Sequence, residues 1–205
     1  WDVAAGRITL GGVDVRDWKV DELLGNFSMV FQGVYLFEDT IENNIKFGRP
    51  DATHEEVVEA ARRACCHEFV EGLPEGYATR LGEGGATLSG GERQRAFIAM
   101  TLAQDTDLIV LDEPTTYLDI RACHETMELI RRLNEEAGKT IVMVIHDLDL
   151  ALRYSDRLLV MERGRAAAAG TVEEVLETGA IERAFGVSIR PHAAAEGIAY
   201  TLFPA

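Results

Sequence analysis

The sequence predicts an α/β fold, a mainly parallel sheet with a helical subdomain inserted into it. Three observations carry this. From Leu108 onward, apolar runs of strand length alternate with helical stretches: Leu108–Leu111, Ile120–Glu136, Ile141–Ile145, Leu148–Tyr154 and Arg157–Met161. Such alternation implies βαβ connections and a parallel sheet. From about Glu38 to Gln104 the pattern is instead helical. Finally, Leu108-Ile109-Val110-Leu111 runs into two adjacent carboxylates, Asp112 and Glu113. A central parallel strand delivers side chains to the carboxyl edge of its sheet in this way.

Each element has a local reason. Ile8–Leu10 and Val13–Val15 flank Gly11-Gly12 and read as a tight hairpin. Val20–Leu24 is a short helix, and Phe27–Phe31 is a core strand. Thr40 can cap a helix at Ile41–Ile45, and Thr53 with Glu56 forms a capping box before Val57–Ala64. Ser89 and Glu92 repeat that spacing and start a helix that continues to about Ala103. Asp119 is placed to cap Ile120–Glu136, and Gly138 to end it. Ala166–Ala169 is a short apolar strand. Thr171 and Glu174 start another capped helix, Gly179–Phe185 is helical, and Ile198–Phe203 is a final strand. There are no repeats and no long linker. The expected organisation is one domain over 1–205, with 38–104 as the helical subdomain and 105–205 as the C-terminal part of the α/β core.

At 205 residues, with 47% apolar and 27% charged content, the chain suits one globular domain with a full core. A formal net charge of −15 argues against a nucleic-acid surface or direct binding to anionic lipid. No apolar run approaches the roughly 20 residues that span a bilayer, and no signal peptide is visible. The three cysteines, Cys65, Cys66 and Cys123, are an odd count with an adjacent pair. They do not make a disulfide framework, their spacing is not that of a metal site, and reduced thiols with a packing role are expected.

Two motifs carry chemistry. Leu88-Ser89-Gly90-Gly91-Glu92-Arg93-Gln94 opens a helix on two glycines. Glycine lets a ligand approach the backbone, and the unpaired N–H groups and positive dipole end of a helix start suit phosphate oxygens. By itself Ser89 with Glu92 would be an ordinary cap; the acidic strand that follows changes the reading. There, Asp112 is placed to organise a Mg²⁺ shell, usually through water. Glu113 is placed to orient and deprotonate an attacking water. Two buried carboxylates side by side are expensive without a cation.

These residues resemble the ATP-binding domain of ABC transporters. Leu88–Gln94 is similar to the family's signature, and Leu108–Glu113 to its Walker B strand with the catalytic glutamate. Thr116-Tyr117-Leu118-Asp119 is similar to the D-loop, Ile145-His146-Asp147 to the switch histidine, and Val30-Phe31-Gln32 to the Q-loop. The resemblance covers nearly the whole chain and implies a P-loop-NTPase-like fold. It implies that Glu113, His146 and Gln32 serve catalysis, and that Asp112 and Gln32 serve the metal. Leu88, Ser89, Gly90, Gly91, Glu92 and Gln94 would close over ATP held by an opposite subunit, with Asp119 in the D-loop. ATP and Mg²⁺ are the implied cofactors. A second ATP-binding domain and a transmembrane permease subunit, or a fused transmembrane domain, are the implied partners. The implied location is peripheral, at the cytoplasmic face of the plasma membrane.

One family part is missing. A Walker A loop needs G-x-x-x-x-G-K-[ST] between a strand and a helix, and none is present. Gly138-Lys139-Thr140 is a decoy: Leu133 stands where the first glycine belongs, and a helix precedes the triplet. Trp1–Ile8 resembles the stretch just after the Walker A helix, so the chain is expected to begin inside the domain, lacking the first strand and the P-loop. Alone it should bind ATP poorly. Two branches of the family are also visible. Gln32–Ile41 and Gly82-Glu83-Gly84-Gly85 resemble exporters. Asp112–Ile120, His146-Asp147-Leu148 and Ala184-Phe185-Gly186-Val187 resemble ATPases of iron–siderophore and cobalamin importers.

The expected function is ATP hydrolysis that powers transport of an unknown solute, by an exporter or a siderophore–iron importer. Two alternatives stand beside it: a non-catalytic interaction module of an ABC dimer, and a soluble ABC ATPase acting on nucleic acid.

Overall fold

A computed structural model describes residues 5–31, 35–194 and 197–204, which form two compact units divided between Val144 and Ile145. The first unit opens with a hairpin of β1 (Thr9–Leu10) and β2 (Val13–Asp14), turned by Gly11 and Gly12 at φ 58° and 84°. Positive φ at both central residues is what a tight hairpin requires. After α1 (Val20–Leu24) comes β3 (Phe27–Val30). The helical stretch follows as α2 (Ile41–Lys46), α3 (His54–Arg63), α4 (His67–Glu71) and α5 (Gly90–Ala103). β4 (Leu108–Asp112), α6 (Ile120–Glu135) and β5 (Thr140–Val144) complete the unit.

β3, β4 and β5 form a parallel sheet with β4 in the middle. Its two faces differ. Ser28, Val30, Ile109 and Leu111 point to one side and are buried. On this side Ser28 Oγ donates to the carbonyl of Thr101 in α5 at 3.2 Å. α5 in turn packs on α2, α3, α6 and β3, and so forms the spine of the unit. The register places Met29, Val110 and Val142 in one row of the opposite face, and Asp112 beside Val144. This face is open: Met29, Val142 and Val144 are 39%, 50% and 48% exposed.

The expected caps form. Thr40 caps α2, Thr53 with Glu56 makes a full capping box on α3, and Asp119 accepts from Ala122 N–H at 2.8 Å to start α6. Gly138, at φ 64°, turns the chain after α6 so that Lys139 N–H donates to Leu133 O at 3.1 Å.

The second unit holds α7 (Leu148–Tyr154), β6 (Arg157–Glu162), β7 (Arg165–Thr171), α8 (Val172–Glu177), α9 (Ala180–Phe185), β8 (Val187–Ala194) and β9 (Gly197–Pro204). Its core is Leu152, Val160, Val172, Val175, Ala180 and Ile181. α8 starts on the expected Thr171–Glu174 capping box. One expectation is corrected here. The Arg157–Met161 run continues the strand–helix alternation in sequence, yet as β6 it pairs antiparallel with β7. The reason is the connection: Arg163 and Gly164 have φ 49° and 75°, a two-residue hairpin turn that leaves no room for a crossover. β8 and β9 also pair antiparallel along their length.

Candidate functional site

The site grows from the start of α5. Ser89 Oγ accepts from Glu92 N–H at 3.3 Å, and Glu92 Oε2 accepts from Ser89 N–H at 2.8 Å. Ser89, through its hydroxyl first and its backbone N–H second, holds the Glu92 carboxyl below the usual carboxylate range. The box fixes the helix start, so the N–H groups of the first turn, which have no intrahelical partner, face outward. Ser89, Gly90 and Gly91 border a cleft of about 320 Å³ whose far wall is Tyr117, Leu118 and Asp119.

Two guanidinium groups enter the same cleft. Arg95 Nη1 and Arg121 Nε bond the two oxygens of Glu125 at 3.1 and 2.7 Å. Arg121 first, then Arg95, keep the Glu125 carboxyl below its ordinary range. Two arginines stand against two carboxylates in this lining, Glu125 and Asp119, so the side chains balance and the helix start supplies the positive end. The chemistry this arrangement offers is anion binding. Beside it, Tyr117 (φ 65°) is 90% exposed and Ile120 81% exposed.

The seven signature residues divide by role. Ser89, Gly90 and Gly91 line the cleft. Leu88 and Gln94 are buried, and Gln94 Nε2 lacks a hydrogen-bond partner. Glu92 is engaged in the cap.

The acid pair lies at the end of β4. Asp112 is the last residue of the strand and is half-buried. Glu113 follows at φ 49°, a left-handed conformation rare outside glycine and common at functional sites. Its N–H donates to Val144 O at 3.0 Å, and its carboxylate accepts from Thr116 Oγ1 at 2.8 Å. The segment from Glu113 runs directly into Leu118 and Ala122, against which Gly90 and Gly91 pack. The first unit thus brings Ser89, Gly90 and Gly91 of the signature together with Asp119, while Asp112 and Glu113 lie outside the lining of that cleft. His146 belongs to the second unit, exposed before α7, whose cap is Asp147. Gln32 lies outside the described residues.

Mg²⁺ would find few protein ligands here. Among the described residues no group of three or more His, Cys, Asp or Glu could hold a metal alone. One strand-end carboxylate fits an ion that keeps several waters and takes further oxygens from phosphate. The arginines and helix start supply no ligand for such an ion, but suit the phosphate itself.

The sequence pattern of the family described as "ABC transporter" matches residues 2–116. The chain belongs to the ABC transporter family. It is 40% identical over 177 residues to the putative multidrug export ATP-binding/permease protein YgaD of Bacillus subtilis, covering 86% of this chain and 30% of that protein. It is 41% identical over 181 residues to the ATP-dependent lipid A-core flippase of Chromobacterium violaceum, covering 88% of this chain and 30% of that one. Its fold matches a bacterial Atm1-family ABC exporter solved with ATP bound, with TM-score 0.76 and 35% identity, over 87% of this chain and 31% of that one. The chain therefore spans about a third of the length of these relatives, and its α/β fold with a parallel sheet is that of an ABC exporter ATPase. No helix among the described residues is long and apolar enough to cross a membrane.

The sequence reading placed Thr116 in the D-loop without its bond to Glu113, and missed the arginine pair beside the helix start. The bond could have been found from the spacing of Thr116, three residues after Glu113 with Pro114 between.

Proposed function

We propose that these residues form the ATP-binding, ATP-hydrolysing domain of an ABC exporter. The observation that supports this most is the cleft at the start of α5, where the helix-start backbone of Ser89, Gly90 and Gly91 opens opposite Tyr117, Leu118 and Asp119. Two such domains would face each other, each lending Ser89, Gly90 and Gly91 to the triphosphate held by the other. Exposed Tyr117 and Ile120 suit burial against that second domain. Asp112 would hold Mg²⁺ through water, and Mg²⁺ would supply charge neutralisation on the phosphate oxygens. Glu113 would orient the attacking water and take its proton, and the family resemblance gives Gln32 and His146 catalytic roles as well.

A transmembrane partner, fused or separate, would dock on the aromatic group of Tyr35, Phe37 and Phe47. Phe37 stacks on Phe47 with centroids 4.3 Å apart, and Tyr35 meets Phe37 edge-on at 5.7 Å. All three are well exposed. Export is preferred over siderophore import because the multidrug and lipid A relatives are exporters by name. The domain division proposed is one ATPase domain with 38–104 as its helical subdomain, at the cytoplasmic face of the membrane.

The test is Glu113→Gln in a polypeptide that supplies a phosphate-binding loop ahead of these residues. Turnover should stop while ATP stays bound; undiminished hydrolysis removes the base.

A further inference from the structure

Resting on the reading of Glu113 as the base, we infer that Thr116 is the residue that positions it. Thr116 Oγ1 donates to Glu113 Oε2 at 2.8 Å. The local sequence builds this contact. Glu113-Pro114-Thr115-Thr116 closes a turn in which Thr116 N–H donates to Glu113 O at 3.2 Å. Pro114 occupies the second turn position, where its fixed φ is favourable. The first and fourth residues of such a turn are neighbours, so a hydroxyl at the fourth reaches a carboxylate at the first. Cys123 Sγ pins the turn from α6 by donating to Thr115 O at 3.4 Å.

The backbone of Glu113 is already held, by its left-handed φ and its bond to Val144 O. The hydroxyl of Thr116 holds the rotation of the side chain. A base that aligns water must present its oxygen within a narrow range of positions, and small misplacements cost large factors in rate. Thr116 works through Glu113 and is a positioning residue. A hydroxyl at this place is what the role demands; the methyl of threonine is not.

The test uses the intact ATPase that contains this domain. Thr116→Val keeps the shape and removes the donor. It should lower kcat about tenfold, the rate equivalent of one hydrogen bond, with KM for ATP unchanged. Thr116→Ser should restore kcat. A crystal structure of the 205-residue Thr116→Val chain should show the turn intact and the Glu113 carboxylate in another rotamer. Wild-type kcat in Thr116→Val, failure of serine to rescue, or an unmoved carboxylate would overturn the inference. If Glu113→Gln hydrolyses ATP at full rate, the base assignment itself fails, and that result is separable from the other three.

Discussion

Gly91 rests against Ala122 with room for one more atom: a Cβ on Gly91 would stand 3.4 Å from the Cβ of Ala122, an ordinary contact. A Cβ on Gly90 would stand at the same distance from Leu118 Cδ2. Neither glycine has a positive φ. The fold does not need glycine at these places, so the need lies with what enters the cleft.

Gly91→Ala should therefore fold with an equal or higher melting temperature, since alanine is the better helix former by about 0.8–1 kcal/mol. In the assembled ATPase the same change should lower turnover on the order of a hundredfold, because its methyl group displaces a phosphate oxygen from preorganised N–H donors. Differential scanning calorimetry and a steady-state ATPase assay together check it. A variant that melts early would return the glycine to a structural role.

The Ser89–Glu92 capping box gives α5 a measurable acid sensitivity. Ser89→Ala should destabilise the chain by about 1 kcal/mol in urea titrations. The Glu92 carboxyl is held below its unperturbed value of 4.5. Its contribution is thus complete above that value and lost as pH falls through the lower folded value. Wild type and Glu92→Gln should differ in stability at neutral pH and converge in acid. A gap that persisted in acid would mean the charge of Glu92 is not what the cap uses.

Cys66 is fully buried, and burial pushes its thiol up to about 12. Cys65 and Cys123 are partly exposed. Alkylation of the native chain with iodoacetamide, read by peptide mass mapping, should spare Cys66 until denaturant is added. Labelling of Cys66 at the rate of its neighbour would show that the segment between α3 and α4 opens readily.

Leu111 is 1% exposed on the closed face of the sheet. Leu111→Ala should cost about 2–5 kcal/mol, which chemical denaturation of the 205-residue chain would measure. A loss well below this would mean the surrounding helices collapse into the cavity.

What could be read from the sequence was what is written locally. Thr40, Thr53, Ser89, Asp119 and Thr171 each cap a helix from within four residues, and all five do so in the structure. The parallel core was legible because β3, β4 and β5 are apolar runs ending near polar residues. The antiparallel pairing of β6 was not, since Arg163 is an unusual residue for a left-handed turn. β8 was not either, because Pro191, His192 and two alanines mute its strand pattern. In the site, motif order pointed to Asp112 and Glu113 but could not separate Gln94, turned inward, from Gly90 and Gly91 at the surface. Side-chain direction along a helix start depends on packing with α6, which lies outside the motif.

The open side of the β3–β4–β5 sheet has a practical result. Met29, Val142 and Val144 make a water-facing oily strip. With a net charge of −15, the chain repels its own copies at low salt. Raising the salt screens that repulsion and leaves the strip in command, so isolated protein should stay dispersed in dilute buffer and cluster as ionic strength climbs.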